Sequence, residues 1–256
     1  TGIVDYVQVT KKMAEIFQAR GGTINLGAPV RKIRNENGSY LIQSGSNSLS
    51  AGALINCAGL HADRVARLAG LHPSVQIVPF RGEYYQLKKE SSRLVNHLIY
   101  PVPNPQMPFL GVHFTRMIDD RVEAGPNAVL AMQREGYRRR DISFPDLMST
   151  LAFSGFWKMS ARFWRLGIEE YGRSFSKARF VKSLQRLIPE LQSKDLIPGE
   201  SGVRAQAVDD RGQLLDDFPI ISEGRMVHVL NAPSPAATAS LSIGEQIADH
   251  FDHLST

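Results

Sequence analysis

The sequence predicts a mixed α/β fold, and three observations predict it. Hydrophobic residues are 43% of the 256 and charged residues 21%, the balance of a folded chain with a sizeable core. Apolar positions recur at helical spacing in some stretches and alternate or run continuously in others, so helices and strands are both required. The 21 glycines and 14 prolines lie among those stretches and punctuate them with turns that a helical bundle does not need.

The elements follow in order. Asp5 is placed to cap a helix whose apolar positions are Val9, Met13, Ile16 and Phe17, and Gly21-Gly22 ends it. Thr23 to Leu26 and Val30 to Ile33 are expected as short strands, with Tyr40 to Gln43 returning through the Asn35-Glu36-Asn37-Gly38 turn. Ala53 to Cys57 is a continuous apolar run, and after Ala58-Gly59 a helix is expected from His61 to Leu68. Gln76 to Met132 alternates and is rich in aromatics, as an antiparallel sheet requires, with Phe109 to Thr115 and Ala128 to Met132 among its strands. Phe144 to Leu191 turns helical, enough for two or three helices. Strands return near Val203 to Ala207, Leu214 to Ile220 and Met226 to Leu230, and a last helix is expected from about Ala236 to His250.

Cys57 is the single cysteine, which excludes a disulfide scaffold and a paired-cysteine metal cluster and makes the cytoplasm the expected compartment. The histidines lack the spacing of a metal site, so no metal is expected. No apolar stretch reaches the roughly 18 to 20 residues that cross a bilayer. Net charge is +5, and Lys158 to Arg186 holds eight basic residues against Glu169 and Glu170, so the excess is local. No nucleic-acid module accompanies that segment, and nucleic-acid binding is not expected.

Several residues carry candidate chemistry. His113, in Gly111-Val112-His113-Phe114-Thr115, is either a structural strand histidine or a base whose ordinary pKa suits proton abstraction near neutrality. Arg204 and Arg81 are either carboxylate clamps or members of ordinary ion pairs. The run Asn231-Ala232-Pro233-Ser234-Pro235-Ala236-Ala237 leads a strand into a helix through small residues. It is either a plain connection or a turn whose amides face an anion or a reduced flavin. Cys57-Ala58-Gly59 offers the same choice between a tight turn and a cofactor approach. No Gly-x-Gly-x-x-Gly occurs in the chain.

Taken together, Thr1 to Tyr6, Ile55 to Arg64, Pro79 to Tyr85, Leu110 to Arg116, Gly125 to Ala131, Gly202 to Ala207 and Asn231 to Thr238 resemble the L-2-hydroxyglutarate dehydrogenase/oxidase family. That family lies within the flavoproteins related to D-amino-acid and glycine oxidases. The resemblance covers essentially the whole chain, but the family's opening strand, glycine-rich turn and helix, which hold the FAD pyrophosphate, and its histidine-containing front stretch have no counterpart after Thr1. A part of such an enzyme is therefore expected.

The resemblance implies an incomplete FAD domain in residues 1–76 and 198–256, with an antiparallel-sheet substrate domain and basic aromatic helices in residues 77–197. It implies FAD contacts at Val30, at Cys57, Ala58 and Gly59, at Gly202, Val203 and Arg204, and at Pro233, Ser234, Pro235, Ala236 and Ala237. It further implies oxidation of L-2-hydroxyglutarate by hydride transfer to the flavin, with electrons passing to quinone or oxygen. His113 is then the expected base and Arg204 the clamp for the C1 carboxylate, while Arg81, Tyr84 and Thr115 are candidates for the second carboxylate. Phe156, Trp157, Phe163 and Trp164 beside Lys158, Arg162 and Arg165 are read either as core with a solvated face or as a surface for anionic lipid on the inner face of the cell membrane. The rival readings are a related enzyme acting on an amino acid or glycerol 3-phosphate, and a non-catalytic interaction module.

Overall fold

The computed structural model describes residues 2–102, 111–233 and 236–254. The chain forms two compact units. The central unit comprises Thr1–Val4, Val78–Arg204 and Arg211–Leu214, and the terminal unit comprises Asp5–Ile77, Ala205–Asp210 and Leu215–Thr256.

The terminal unit opens with helix α1 (Tyr6–Ala19), capped by the Asp5 carboxylate, which accepts from the Val7 and Gln8 amides at 2.9 and 3.3 Å. α1 buries none of its residues, and Ile16 and Phe17 of its apolar stripe are exposed. Strands β1 (Lys32–Glu36), β2 (Ser39–Ser44) and β3 (Asn47–Ala51) form an antiparallel meander. Asn37 (φ 53°) and Gly38 (φ 83°) turn the first hairpin in the left-handed region, as a two-residue Asn-Gly loop demands. Thr23 to Leu26 is not a strand. Its short apolar pattern finds no neighbouring ladder, and pairing rather than propensity makes a strand. The polar β3 was not expected, because its partner β2 supplies the pairing that its own composition does not announce. Strand β4 (Leu54–Asn56), a 3-10 turn over Gly59–His61 and helix α2 (Ala62–Leu68) complete this part.

Strand β5 (Val75–Leu87) carries the chain into the central unit. There it joins β6 (His113–Arg116), β7 (Val122–Gly125) and β8 (Val129–Leu130) in the order β6-β7-β5-β8, with β9 (Leu196–Asp209) also paired to β5. The expected helical stretch is three helices, α3 (Phe144–Leu151), α4 (Ser154–Phe175) and α5 (Lys177–Leu184), with α4 bent at Phe163. One face of the sheet is closed by α5: Leu87, Phe114, Val122 and Ala124 pack with Phe180, Val181 and Leu184 in a fully apolar core.

β9 returns the chain to the terminal unit, where β10 (Ile220–Glu223) pairs antiparallel with β11 (Met226–Val229) and β11 runs parallel to β4. The expected strand from Leu214 begins only at Ile220. Asn231 explains the delay, since its Nδ2 donates to the carbonyls of Leu215 and Asp217, each at 3.0 Å, and occupies acceptors a ladder would use. The last helix, α6 (Ser240–His253), starts four residues later than expected, after a 3-10 turn over Ala236–Ala239. Its Ile247 packs on Val227 and Val229. No helix among the described residues is long and apolar enough to cross a membrane.

Candidate active site

Register determines which side chains share the open face of the central sheet. In β6 and β7, His113 stands opposite Gly125, Phe114 opposite Ala124 and Thr115 opposite Glu123. In β7 and β5, Ala124 stands opposite Tyr85 and Glu123 opposite Gln86, so one further step along the ladder sets Gly125 beside Tyr84. Phe114, Ala124 and Tyr85 point into the core, where the Tyr85 ring meets Phe180 edge-on at 4.8 Å. Side chains alternate along strands, so His113, Thr115, Glu123 and Tyr84 project together from the opposite face.

Gly125 separates the His113 imidazole from the Tyr84 phenol in that row. A Cβ there would lie 2.9 Å from the Glu83 carbonyl and 3.0 Å from Tyr84 Cδ1, and φ is +148°, so only glycine fits. The row therefore has a proton-accepting group and a hydroxyl on either side of a position without a side chain.

His113 Nδ1 lies 3.0 Å from the Gly111 carbonyl oxygen. A carbonyl only accepts, so Nδ1 carries the hydrogen and Nε2 keeps its lone pair. Burial pushes the His113 pKa down, against the smaller upward pull of the Gly111 hydrogen bond, which keeps the ring neutral at pH 7. Burial also raises the Tyr84 hydroxyl, reinforced by the Glu123 charge and opposed by Arg204, while burial lowers the Arg204 guanidinium with Tyr84 acting the other way. Arg204 on β9 thus reaches the Tyr84 neighbourhood and stays charged, as arginine does. The structure brings His113, Thr115 and Tyr84 together on one face, with Arg204 close enough for its charge to act on Tyr84.

It does not bring Arg81 to them. Arg81 is buried, donating from Nε and Nη2 to Glu83 Oε1 at 3.3 and 3.2 Å and from Nη1 to the Arg138 carbonyl at 3.2 Å. Glu83 also accepts from Arg139 Nε and Asn127 Nδ2 at 2.9 Å and from Ser174 Oγ at 2.7 Å. Burial alone would raise the Glu83 carboxyl, but these hydrogen bonds outweigh it and hold the pKa below the usual range. Arg81 is one corner of a network that ties β5 to α4, and three of its donors are already in use. Sequence reasoning missed this network, although Arg81-Gly82-Glu83 places two opposite charges on one face of a strand.

In the terminal unit the parallel strands β4 and β11 each end near a buried asparagine. Asn56 Nδ2 donates to the Ala62 carbonyl at 2.9 Å and to His228 Nδ1 at 3.0 Å, and Asn56 Oδ1 accepts from the Ala58 amide at 3.1 Å. Asn231 Oδ1 accepts from the Ala207 amide at 3.2 Å. Beyond these anchors, Cys57, Ala58, Gly59 and Ala232 are exposed, Pro233 and Ala236 half-buried and Ala237 exposed, and a Cβ on Gly59 would meet nothing within 4 Å. Open small-residue turns at the carboxyl ends of adjacent parallel strands suit a nucleotide cofactor. Val30 is half-buried just before β1, whereas Gly202 and Val203 belong to β9 of the central unit. Ser234 and Pro235 lie outside the described residues.

Comparison with known proteins agrees with this reading of the fold. The chain is 53% identical over 250 residues to the L-2-hydroxyglutarate dehydrogenase of Indibacter alkaliphilus, covering 97% of this chain and 63% of the relative. It is 48% identical over 255 residues to that of Escherichia coli strain K12, covering 99% and 60%. It is 43% identical over 267 residues to the mitochondrial one of Mus musculus, covering 97% and 57%. The chain therefore spans about three-fifths of the length of these curated relatives. Among solved structures, an FAD-bound L-alpha-glycerophosphate oxidase from Mycoplasma pneumoniae superposes with a TM-score of 0.69 at 19% identity, covering 94% of this chain and 54% of that one. A glycine oxidase from Bacillus cereus gives 0.61 at 11% identity, covering 96% and 55%. These two likenesses show a shared fold. Residues 1–250 match the profile described as FAD dependent oxidoreductase, and the chain belongs to that family, the DAO family.

Proposed function

We propose that this chain is the greater part of an FAD-dependent enzyme that oxidises L-2-hydroxyglutarate to 2-oxoglutarate. The observation that carries the proposal is the shared sheet face of His113, Tyr84 and Thr115, with the Arg204 charge acting on Tyr84, in a chain 43 to 53% identical to proteins named for that substrate. When bound, FAD supplies the acceptor for the hydride that leaves C2. In the terminal unit Val30, Cys57 to Gly59, Pro233, Ala236 and Ala237 would hold it.

The chain's own residues do the rest. Arg204 pairs its planar donors with the C1 carboxylate and orients C2. The His113 Nε2 lone pair takes the proton of the C2 hydroxyl, and the Nδ1–H bond to Gly111 keeps the ring in the tautomer that allows it. Tyr84 and Thr115 offer hydroxyls to the second carboxylate. Arg81 retains no part in this reading, because Glu83 holds it on the core side.

Anaerobic flavin bleaching tests the proposal. L-2-hydroxyglutarate bleaches the flavin, whereas glycine and glycerol 3-phosphate leave it oxidised. Bleaching by one of those two instead reassigns the substrate, and failure to retain flavin favours the interaction-module reading.

The partner surface is also a proposal. On α4, Trp157, Trp164, Ile168, Tyr171 and Phe175 are all exposed at spacings that keep them on one side, and Trp164 and Tyr171 join the half-buried Phe156 and Phe163 in walling a cavity of about 240 Å³. The Arg165 guanidinium lies 5.3 Å from the Trp164 ring, and Lys158 and Arg162 are exposed nearby. Interfacial tryptophan and tyrosine beside cations match an anionic bilayer surface, from which a quinone would draw the electrons. Vesicle binding tests this directly.

A further inference from the structure

The segment at Ile99 and Tyr100 supplies a side chain to the sheet face that sequence reasoning did not anticipate. Ile99 pairs with Phe114 through two backbone hydrogen bonds, Ile99 N–H to the Phe114 carbonyl at 3.0 Å and Phe114 N–H to the Ile99 carbonyl at 2.9 Å. Ile99 packs on the same apolar core as Phe114, and Val95 is buried within it, so the segment is anchored. The next antiparallel pair is then Tyr100 opposite His113, where side chains come closest. Their rings stack, with centroids 4.6 Å apart and planes 25° from parallel. Tyr100 is 46% exposed, so an unconstrained phenol there would sample solvent, yet it lies flat on the imidazole.

We propose that Tyr100 is a positioning residue: its ring and the Gly111 carbonyl together hold the His113 imidazole with Nε2 presented over Gly125. One contact fixes the plane of the ring and the other fixes its rotation, so two restraints define the direction of the lone pair. Among the described residues, Tyr84 from β5 and Glu123 from β7 share this face, the charge of Arg204 from β9 acts on Tyr84 and those of Arg121, Glu200 and Asp119 act on Glu123, and the Tyr100 hydroxyl joins them without being the feature that holds the ring. The inference rests on the reading of His113 as the base.

The test uses the FAD-loaded protein with nitrogen-15 histidine, comparing Tyr100→Leu and Tyr100→Phe. In Tyr100→Leu the His113 titration moves up toward that of an ordinary histidine, the Nδ1–H tautomer preference weakens, and the rate constant of flavin reduction falls about tenfold with KM little changed. Tyr100→Phe keeps the stack and restores all three. An unchanged His113 titration in Tyr100→Leu overturns the proposal, and so does a Tyr100→Phe protein as defective as Tyr100→Leu, because the hydroxyl would then be the active feature. Normal flavin reduction in His113→Ala would instead sink the base reading, while the titration still reports on the stack.

Discussion

The His113 imidazole combines two properties a base requires: a fixed tautomer and a pKa pushed down by burial. Neither of these is visible in the residue's identity alone. If His113 takes the substrate proton, His113→Ala lowers the rate of flavin reduction by about 10² to 10⁴. The wild-type rate falls as pH drops through a value below the ordinary histidine range, since protonation removes the Nε2 lone pair. Stopped-flow bleaching across pH checks both, and an unchanged rate in His113→Ala reassigns the proton to another group. Legibility at this scale was uneven. His113, Arg204 and Arg81 stood out through residue chemistry and Tyr84 and Thr115 through the family resemblance, while the choice between clamp and ion pair at Arg81 was decided by its partner, Glu83.

At the scale of elements, helical and strand periods in the chain located α1, β4, α2, β5 and the three central helices, because each period states which face is buried. What the periods leave open is whether a stripe meets a neighbour. The α4 stripe illustrates this: of the four aromatics read from the sequence, Phe156 and Phe163 are half-buried while Trp157 and Trp164 are exposed with Ile168, Tyr171 and Phe175. If that face lies on anionic lipid, the protein co-sediments with phosphatidylglycerol vesicles and not with neutral ones. Reversal of charge at Arg162 and Arg165 together then abolishes binding, each cation contributing about 1 kcal/mol. Retained binding in the reversed variant, or none in the wild type, removes the lipid partner.

At the scale of the whole molecule, buried histidines couple folding to pH. His228 is fully buried on β11, its Nδ1 accepting from Asn56, so the proton sits on Nε2, which has no hydrogen-bond partner among the described residues. Burial lowers its pKa, as it does that of His113. Below about pH 6.5 the unfolded chain binds protons that these folded sites resist, so stability is full above that value and falls on acidification. The expected outcome is a Tm that drops between pH 7 and pH 5.5, with a shallower drop in His228→Gln. Identical pH dependence in that variant would remove His228 from the account.

By itself the sequence determined the mixed α/β class, the hairpin at Asn37-Gly38, the strand-turn-helix around Cys57 to Gly59, the helical run before Leu191 and the residue types of the candidate site, since local propensity and side-chain chemistry are written residue by residue. The tertiary structure alone decided that Ile99 pairs with Phe114, that Gly125 stands between His113 and Tyr84, that Asn127, Arg139 and Ser174 join Arg81 on Glu83, and that Asn231 displaces the expected strand at Leu214. Each of these depends on how segments apart in the chain come together. A shift of one residue exchanges the two faces of a strand, and only the packed sheet determines which face the site occupies.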